Sequence, residues 1–208
     1  MKTRFLSIMT MLLLTLSAAA QTATNVLDRT ANTLKKSGGI EAQFEATTFQ
    51  GTTEKGRTTG TICVKGDKFK VTTPDGNIWF DGKTQWSLYA NSDEVNVSNP
   101  TEKEIQSINP YTFINLYKHG FNHSMTNTSY NGTACYDVRM TPQKASRIKE
   151  MRVVIDKKTF LPHSIRIKQD NDWFRVRINS IKTNNKWKDS FFKFNEKEYP
   201  NIEVIDLR

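Results

Sequence analysis

The sequence predicts a mainly β domain in which one large antiparallel sheet is accompanied by a few short helices. Three observations predict it. About ten or eleven short segments alternate apolar and polar residues, the pattern of strands with one buried and one wet face. Residues 60–89 read as four such strands joined by tight turns at Lys65-Gly66-Asp67-Lys68, Pro74-Asp75-Gly76-Asn77 and Asp81-Gly82-Lys83. Asp-Gly supplies the positive φ that hairpin turns need. Helical spacing is confined to two stretches, residues 25–36 and 101–117. A sheet of this size curls into a barrel or stacks as a sandwich.

The first twenty residues are of another kind. Lys2 and Arg4 precede the apolar run 5–16, and Ala18-Ala19-Ala20 before Gln21 fits a small-residue cleavage site. This is the pattern of a secretory signal peptide, and the apolar run is short for a stable membrane span. No cysteine follows the cleavage site, so no lipid anchor is expected. The expected mature chain, residues 21–208, is a single soluble, exported domain with 28 basic against 21 acidic residues, or +7. That excess suits anionic membrane surfaces, acidic partners or nucleic acid, and export argues against nucleic acid. Charge kept for solubility alone is the alternative.

The elements follow in order. Residues 25–36 form a helix capped by Asn25, with Asp28 in its first turn and a narrow stripe of Leu27, Ala31 and Leu34. Lys35 and Lys36 suit its C-terminal end, and Gly38-Gly39 stops it. Ala42, Phe44 and Ala46 alternate with polar neighbours in the first strand. Residues 50–56 (QGTTEKG) read as a polar loop, and residues 57–65 as the next strand. After the meander, Val95 and Val97 mark another strand. Thr101-Glu102-Lys103-Glu104 is a capping box, and Asn109-Pro110 opens an aromatic helical piece holding Phe113, Leu116 and Tyr117. Strands then resume: Tyr136 and Val138 share a face, as do Met151, Val153 and Ile155, then Ile165 and Ile167, then Phe174, Val176 and Ile178. A cluster of Phe191, Phe192 and Phe194 precedes the tail.

Signatures of catalysis are missing from the pattern. There is no dinucleotide or phosphate loop, no nucleophile elbow and no zinc-protease helix. His119 and His123 are four apart, but Gly120 lies between them and no third ligand is near, so no metal or other cofactor is expected. Cys63 and Cys135 each point away from their apolar neighbours and so share a face; an exported protein permits a bridge, and two free thiols are the alternative. Arg166, Lys168, Arg175 and Arg177 make a basic stripe on the wet side of two adjacent strands. It reads either as a solvated face or as a docking surface for an acidic partner or lipid head groups. Trp79, Trp86, Trp173 and Trp187, with many Phe and Tyr, exceed what short strands need to fold; such residues are core or the lining of an apolar ligand pocket.

Several of these residues together resemble the LolA family of periplasmic carriers of outer-membrane lipoproteins, in its divergent LolA-like branch. They are the exported start, the Leu27/Leu34 helix, the strand Ala42–Thr47, Val64-Lys65 followed by Phe69, the Trp79-Phe80-Asp81-Gly82-Lys83-x-x-Trp86 stretch and the Asn109-Pro110 helix. The resemblance covers essentially the whole mature chain. It implies an unclosed antiparallel β-barrel covered by short helices. It also implies capture rather than catalysis: acyl chains enter an apolar cavity and are handed on to the outer membrane. Partners implied are acylated lipoproteins or lipids, an inner-membrane lipoprotein-releasing transporter and an outer-membrane receptor, with the carrier itself a monomer. Alternation and resemblance together nominate Leu27, Leu34, Phe44, Ile62, Val64, Phe69, Trp86, Phe113 and Leu116 as cavity lining. A lipid or glycolipid shuttle on the same fold is the alternative function. The enterobacterial type ties its lid with an Arg directly after Val-Lys. Gly66 stands at that place here, and the role is not carried over to Lys65 or Lys68.

Overall fold

The computed structural model describes residues 22–101, 104–105, 117–118 and 120–208. Helix α1 (Ala23–Lys36) leads into twelve strands. These are β1 (Ile40–Gln50), β2 (Thr53–Lys65), β3 (Lys68–Thr73), β4 (Gly76–Phe80), β5 (Gln85–Tyr89), β6 (Glu94–Ser98), β7 (Phe121–Tyr130), β8 (Thr133–Pro142), β9 (Ile148–Asp156), β10 (Pro162–Gln169), β11 (Asp172–Lys182) and β12 (Glu203–Asp206). Short 3-10 turns at Asp189–Phe192 and Glu196–Glu198 lie in the tail.

All twelve strands form one sheet in the order β12-β6-β5-β4-β3-β2-β1-β11-β10-β9-β8-β7. The order is linear, so the sheet stays open. Two meanders compose it. The first runs outward from β1 to β6; the second starts at the far edge with β7 and returns to pair β11 with β1. Every pairing is antiparallel except the last, where β12 lies parallel to β6 and covers that edge. The expected mainly β, unclosed architecture is therefore the observed one. The chain crosses from one edge to the other between Ser98 and Phe121, where the helical insert is expected.

Local chemistry explains the elements. Helix α1 begins two residues earlier than its periodicity suggests. Thr22, not Asn25, caps it, its hydroxyl accepting from the Asn25 amide at 3.2 Å. Its buried stripe is also wider, comprising Ala23, Val26, Leu27, Thr30 and Leu34. The expected polar loop 50–56 is a two-residue turn: Gly51 takes φ +60°, and β1 and β2 pair to within one residue of it. Polar residues sit there because both faces of that hairpin tip are wet. The Thr101 box is present, with Glu104 Oε2 accepting from the Thr101 amide at 2.8 Å and the Glu104 amide donating to Thr101 Oγ1 at 3.4 Å.

One face of the sheet, the inner face, packs against α1. Its cluster runs from Ile62 on β2 through Ile40, Ala42 and Ala46 on β1 to Val176, Ile178, Ile165, Val153, Ile155, Val138 and Met140, with Val26, Leu27 and Leu34 of the helix on top. The back face carries a smaller cluster at the other end of the sheet, Trp79, Leu88 and Val95, covered by Phe194, Tyr199 and Ile202 of the tail. No helix among the described residues is long and apolar enough to cross a membrane.

Candidate functional site

Strand parity builds the site. Residues directly paired on neighbouring strands point to the same side of a sheet. Val64 pairs with Ile40 and with Phe69, and Ile62 with Ala42 and with Val71. All of these therefore share the inner face with the helix. Leu27, Leu34 and Ile62 lie within the inner cluster, and Phe44 and Val64 pack against its margin. Phe69 is fully buried, its ring 5.1 Å from that of Phe80. Phe44 keeps its place because Gly60 stands opposite it: a Cβ at Gly60 would come within 2.7 Å of the Phe44 ring and 2.5 Å of the Thr72 carbonyl oxygen.

Trp86 departs from the expectation. It pairs with Trp79 and Val97, and so lies on the back face within the Trp79 cluster. The other tryptophans also lie away from the inner face. Trp173 carries Arg166 and Lys168 over its ring on the back, and Trp187 stacks on Phe191 in the tail. The tryptophan-lined pocket suggested by composition is thus replaced by an inner face that is mainly aliphatic and methionine. Phe113 and Leu116 lie outside the described residues.

Among the described residues a few polar contacts tether the helix cover. The Tyr117 hydroxyl donates to the Asp28 carboxylate. Burial, and then that carboxylate, pushes the Tyr117 phenol well above its ordinary range, so it stays a donor. His123, at the start of β7, bonds the Tyr117 carbonyl oxygen through Nε2 at 2.8 Å and Thr24 Oγ1 through Nδ1 at 3.1 Å. A carbonyl oxygen only accepts, so Nε2 carries a proton. Arg29 lies 3.9 Å over the Phe160 ring. Spacing alone does not single out Asp28, Arg29, Tyr117, His123 and Phe160 as a tether. Their partners lie far along the chain, and only the folded sheet brings them together.

Gly66 takes φ +60° in the β2–β3 turn with nothing within 4 Å of a virtual Cβ. This left-handed backbone favours glycine at the turn. The neighbouring lysines face the tail instead of the helix. Lys65 Nζ donates to the Trp187 carbonyl at 2.7 Å, and both Lys65 and Lys68 pair with Asp189. The basic stripe on β10 and β11 is on the back face. Cys63 and Cys135 also share that face, but β1, β11, β10 and β9 separate their strands, so they are free thiols rather than a bridge. Burial pushes the Cys63 thiol up to about 11. His123 is committed to Tyr117 and Thr24, and no group of three or more metal-ligating side chains occurs among the described residues.

An open antiparallel sheet with one apolar face under an amphipathic helix defines a LolA-like fold. The family described as "Outer membrane lipoprotein carrier protein LolA" matches residues 13–171, most of the chain, and the protein belongs to that family. No curated protein sequence matches it. Among solved structures it is similar to an uncharacterized conserved protein from Thermus thermophilus, with TM-score 0.61 and 10% identity over 88% of this chain and 98% of that one. Mycobacterium tuberculosis lipoprotein LppX aligns with TM-score 0.50 and 11% identity over 80% of this chain and 97% of that one. The Pseudomonas aeruginosa MucA/MucB complex supplies a chain that aligns with TM-score 0.50 and 14% identity over 84% of this chain and 62% of that one. At these identities the structural likeness is one of fold.

Proposed function

We propose that this protein is a periplasmic carrier that takes the acyl chains of lipoproteins between helix α1 and the inner face of the sheet and delivers them to the outer membrane. Binding and release are the whole of its chemistry. The observation that supports this best is the inner cluster itself: one continuous aliphatic surface running from β2 through β1 to β8, covered by a single helix among the described residues. Each acyl methylene moved from water into such a surface gains about 0.8 kcal/mol, so affinity comes easily. Release is the harder requirement. It is met when the cover lifts at low cost; among the described residues α1 is held by packing plus a few polar contacts, at Thr24, Asp28 and Arg29 and at the Ser37 C-cap.

Leu27, Leu34, Phe44, Ile62, Val64 and Phe69 are the lining residues of this reading, with Phe113 and Leu116 completing it. The first twenty residues serve as the export signal. An inner-membrane transporter loads the carrier, and an outer-membrane receptor or the membrane itself receives the cargo. Depletion in the native host, followed by separation of inner and outer membranes, tests the proposal. Lipoproteins accumulate in the inner membrane if it holds, and unchanged sorting contradicts it. Mass spectrometry of gently purified protein decides the cargo: an acylated lipoprotein supports the carrier, whereas free lipid alone reassigns the protein as a lipid or glycolipid shuttle.

A further inference from the structure

On the back face, away from the helix, five arginines stand in one row. The strand registers pair Arg139 with Arg152, Arg152 with Arg166, and Arg166 with Arg175. The row continues through Thr47, opposite Arg175, to Arg57. It crosses six adjacent strands from β8 to β2. Lys168 and Arg177, each two residues further along its antiparallel strand, lie on the same face and flank the row from opposite sides.

Like charges directly opposite each other disfavour a sheet. The ends of the row relieve this with acids. Glu150 lies 2.7 Å from Arg139, and Asp137 pairs with Arg152. Arg57 bridges Glu45 and Glu54 at 3.0 and 2.8 Å, and Arg177 reaches Glu45 at 3.6 Å. The middle is different. Among the described residues Arg166, Lys168 and Arg175 pair with no carboxylate. Arg166 and Lys168 lie over the Trp173 ring at 4.8 and 5.6 Å, and Arg175 over Phe49 at 4.9 Å. Arg175 gives one 3.4 Å bond to Thr47 Oγ1, and its buried Nε has no partner. Burial, and then the like charge of Arg177, pulls the Arg175 pKa down, against a smaller opposing effect of Glu45.

We infer that this row docks the protein on an anionic phospholipid surface, with lipid phosphates supplying the negative charge that its middle lacks and Trp173 seated at the membrane interface. Guanidinium groups match phosphate oxygens two at a time. A tryptophan beside Arg and Lys is the combination that favours the headgroup layer. An acidic polypeptide would use the cations but has no need of Trp173, so the lipid surface is the occupant favoured. Docking by this face leaves α1 and the inner face uncovered by the contact. The inference does not depend on what the inner face carries.

Co-sedimentation of the purified protein with vesicles of phosphatidylglycerol in phosphatidylcholine, against phosphatidylcholine alone, tests it. The protein pellets with the anionic vesicles only, and raising salt toward about 1 M releases it. The triple variant Arg166→Gln, Lys168→Gln, Arg175→Gln loses on the order of a hundredfold in affinity. A control removing equal charge from exposed sites elsewhere, Lys144→Gln, Lys158→Gln, Lys186→Gln, loses less than about tenfold. Equal losses in the two triples, or no binding of anionic vesicles, overturn the proposal. So does capture of poly-glutamate with the same dependence on the row while vesicles stay unbound, which would make the partner an acidic protein. A readout independent of the charge variants is quenching of tryptophan emission by brominated anionic lipid. Wild type is quenched and Trp173→Phe is not; retention of the quench by Trp173→Phe also overturns the proposal.

Discussion

The two faces of the sheet are covered in contrasting ways. On the inner face a regular 14-residue helix lies on aliphatic side chains, tied among the described residues by Tyr117–Asp28, His123–Thr24, the Arg29–Phe160 contact and, at its C-cap, the Ser37 carbonyl accepting from the Asn184 amide. On the back face an irregular tail is fixed at many points. Asp189 holds Lys65 and Lys68, and Lys193 reaches Asp81 at 3.4 Å. Trp187, Phe191 and Phe192 pack ring against ring, Trp79 stands edge-on to Phe194, and β12 joins the sheet as a strand. Interlocked aromatic rings and ladder hydrogen bonds must break together. A helix resting on aliphatic side chains can lift as a unit. On the carrier reading proposed above, α1 is the cover that would move and the tail the cover that would stay.

The largest expected effect lies on the fixed side. Phe192 is fully buried between the tail and β3, and Phe192→Ala should cost about 3–5 kcal/mol in denaturant unfolding. Leu27→Ala on the helix removes a side chain just as buried. It should cost less, about 2–3 kcal/mol, because the helix can settle into the space. It should also raise binding of an apolar fluorescent dye to the native protein, which Phe192→Ala should not. An equal rise in both variants would erase the distinction between the covers. Tyr117→Phe removes one hydrogen bond and should cost about 1 kcal/mol, seen as faster amide exchange in α1 with the tail unchanged.

Acid should act on the opposite side, and gently. The ammonium groups of Lys68 and Lys65 hold the Asp189 carboxyl below its ordinary 3.8. A depressed carboxylate contributes its stabilisation above the unfolded value and loses it as pH falls through the folded value. Below about pH 3.8 the tail should loosen first at Trp187, shifting tryptophan emission before global unfolding, and Asp189→Asn should abolish that early shift.

Much of the sheet is legible in the sequence because alternation is local. Ile62 with Val64, or Met151 with Val153 and Ile155, declare a shared face within one strand. Alternation does not say which face a strand presents once a turn intervenes. Strand β4 is apolar on both sides, with Ile78 and Phe80 inward and Trp79 backward. The next strands, β5 and β6, bury Leu88, Val95 and Val97 on the back. Alternation alone therefore places Trp86 with the wrong set. Only the distant tail reveals the switch, since it covers the back face there. The tether is hidden for the same reason: Asp28 and Tyr117 lie 89 residues apart. Strand β12 escapes notice because four mostly exposed residues become a strand only beside β6. Likewise, facing parity puts Cys63 and Cys135 on one side correctly, yet parity carries no information about the four strands between them.

The most direct measurement is amide hydrogen exchange with and without a triacylated lipopeptide. If the inner face is the acyl site and α1 its cover, added lipopeptide changes exchange in residues 23–36 and in the inner-facing strands β1, β2, β9 and β11. The tail, residues 187–199, stays as it was. A change confined to the tail, or none at all on saturating lipopeptide, would contradict the account.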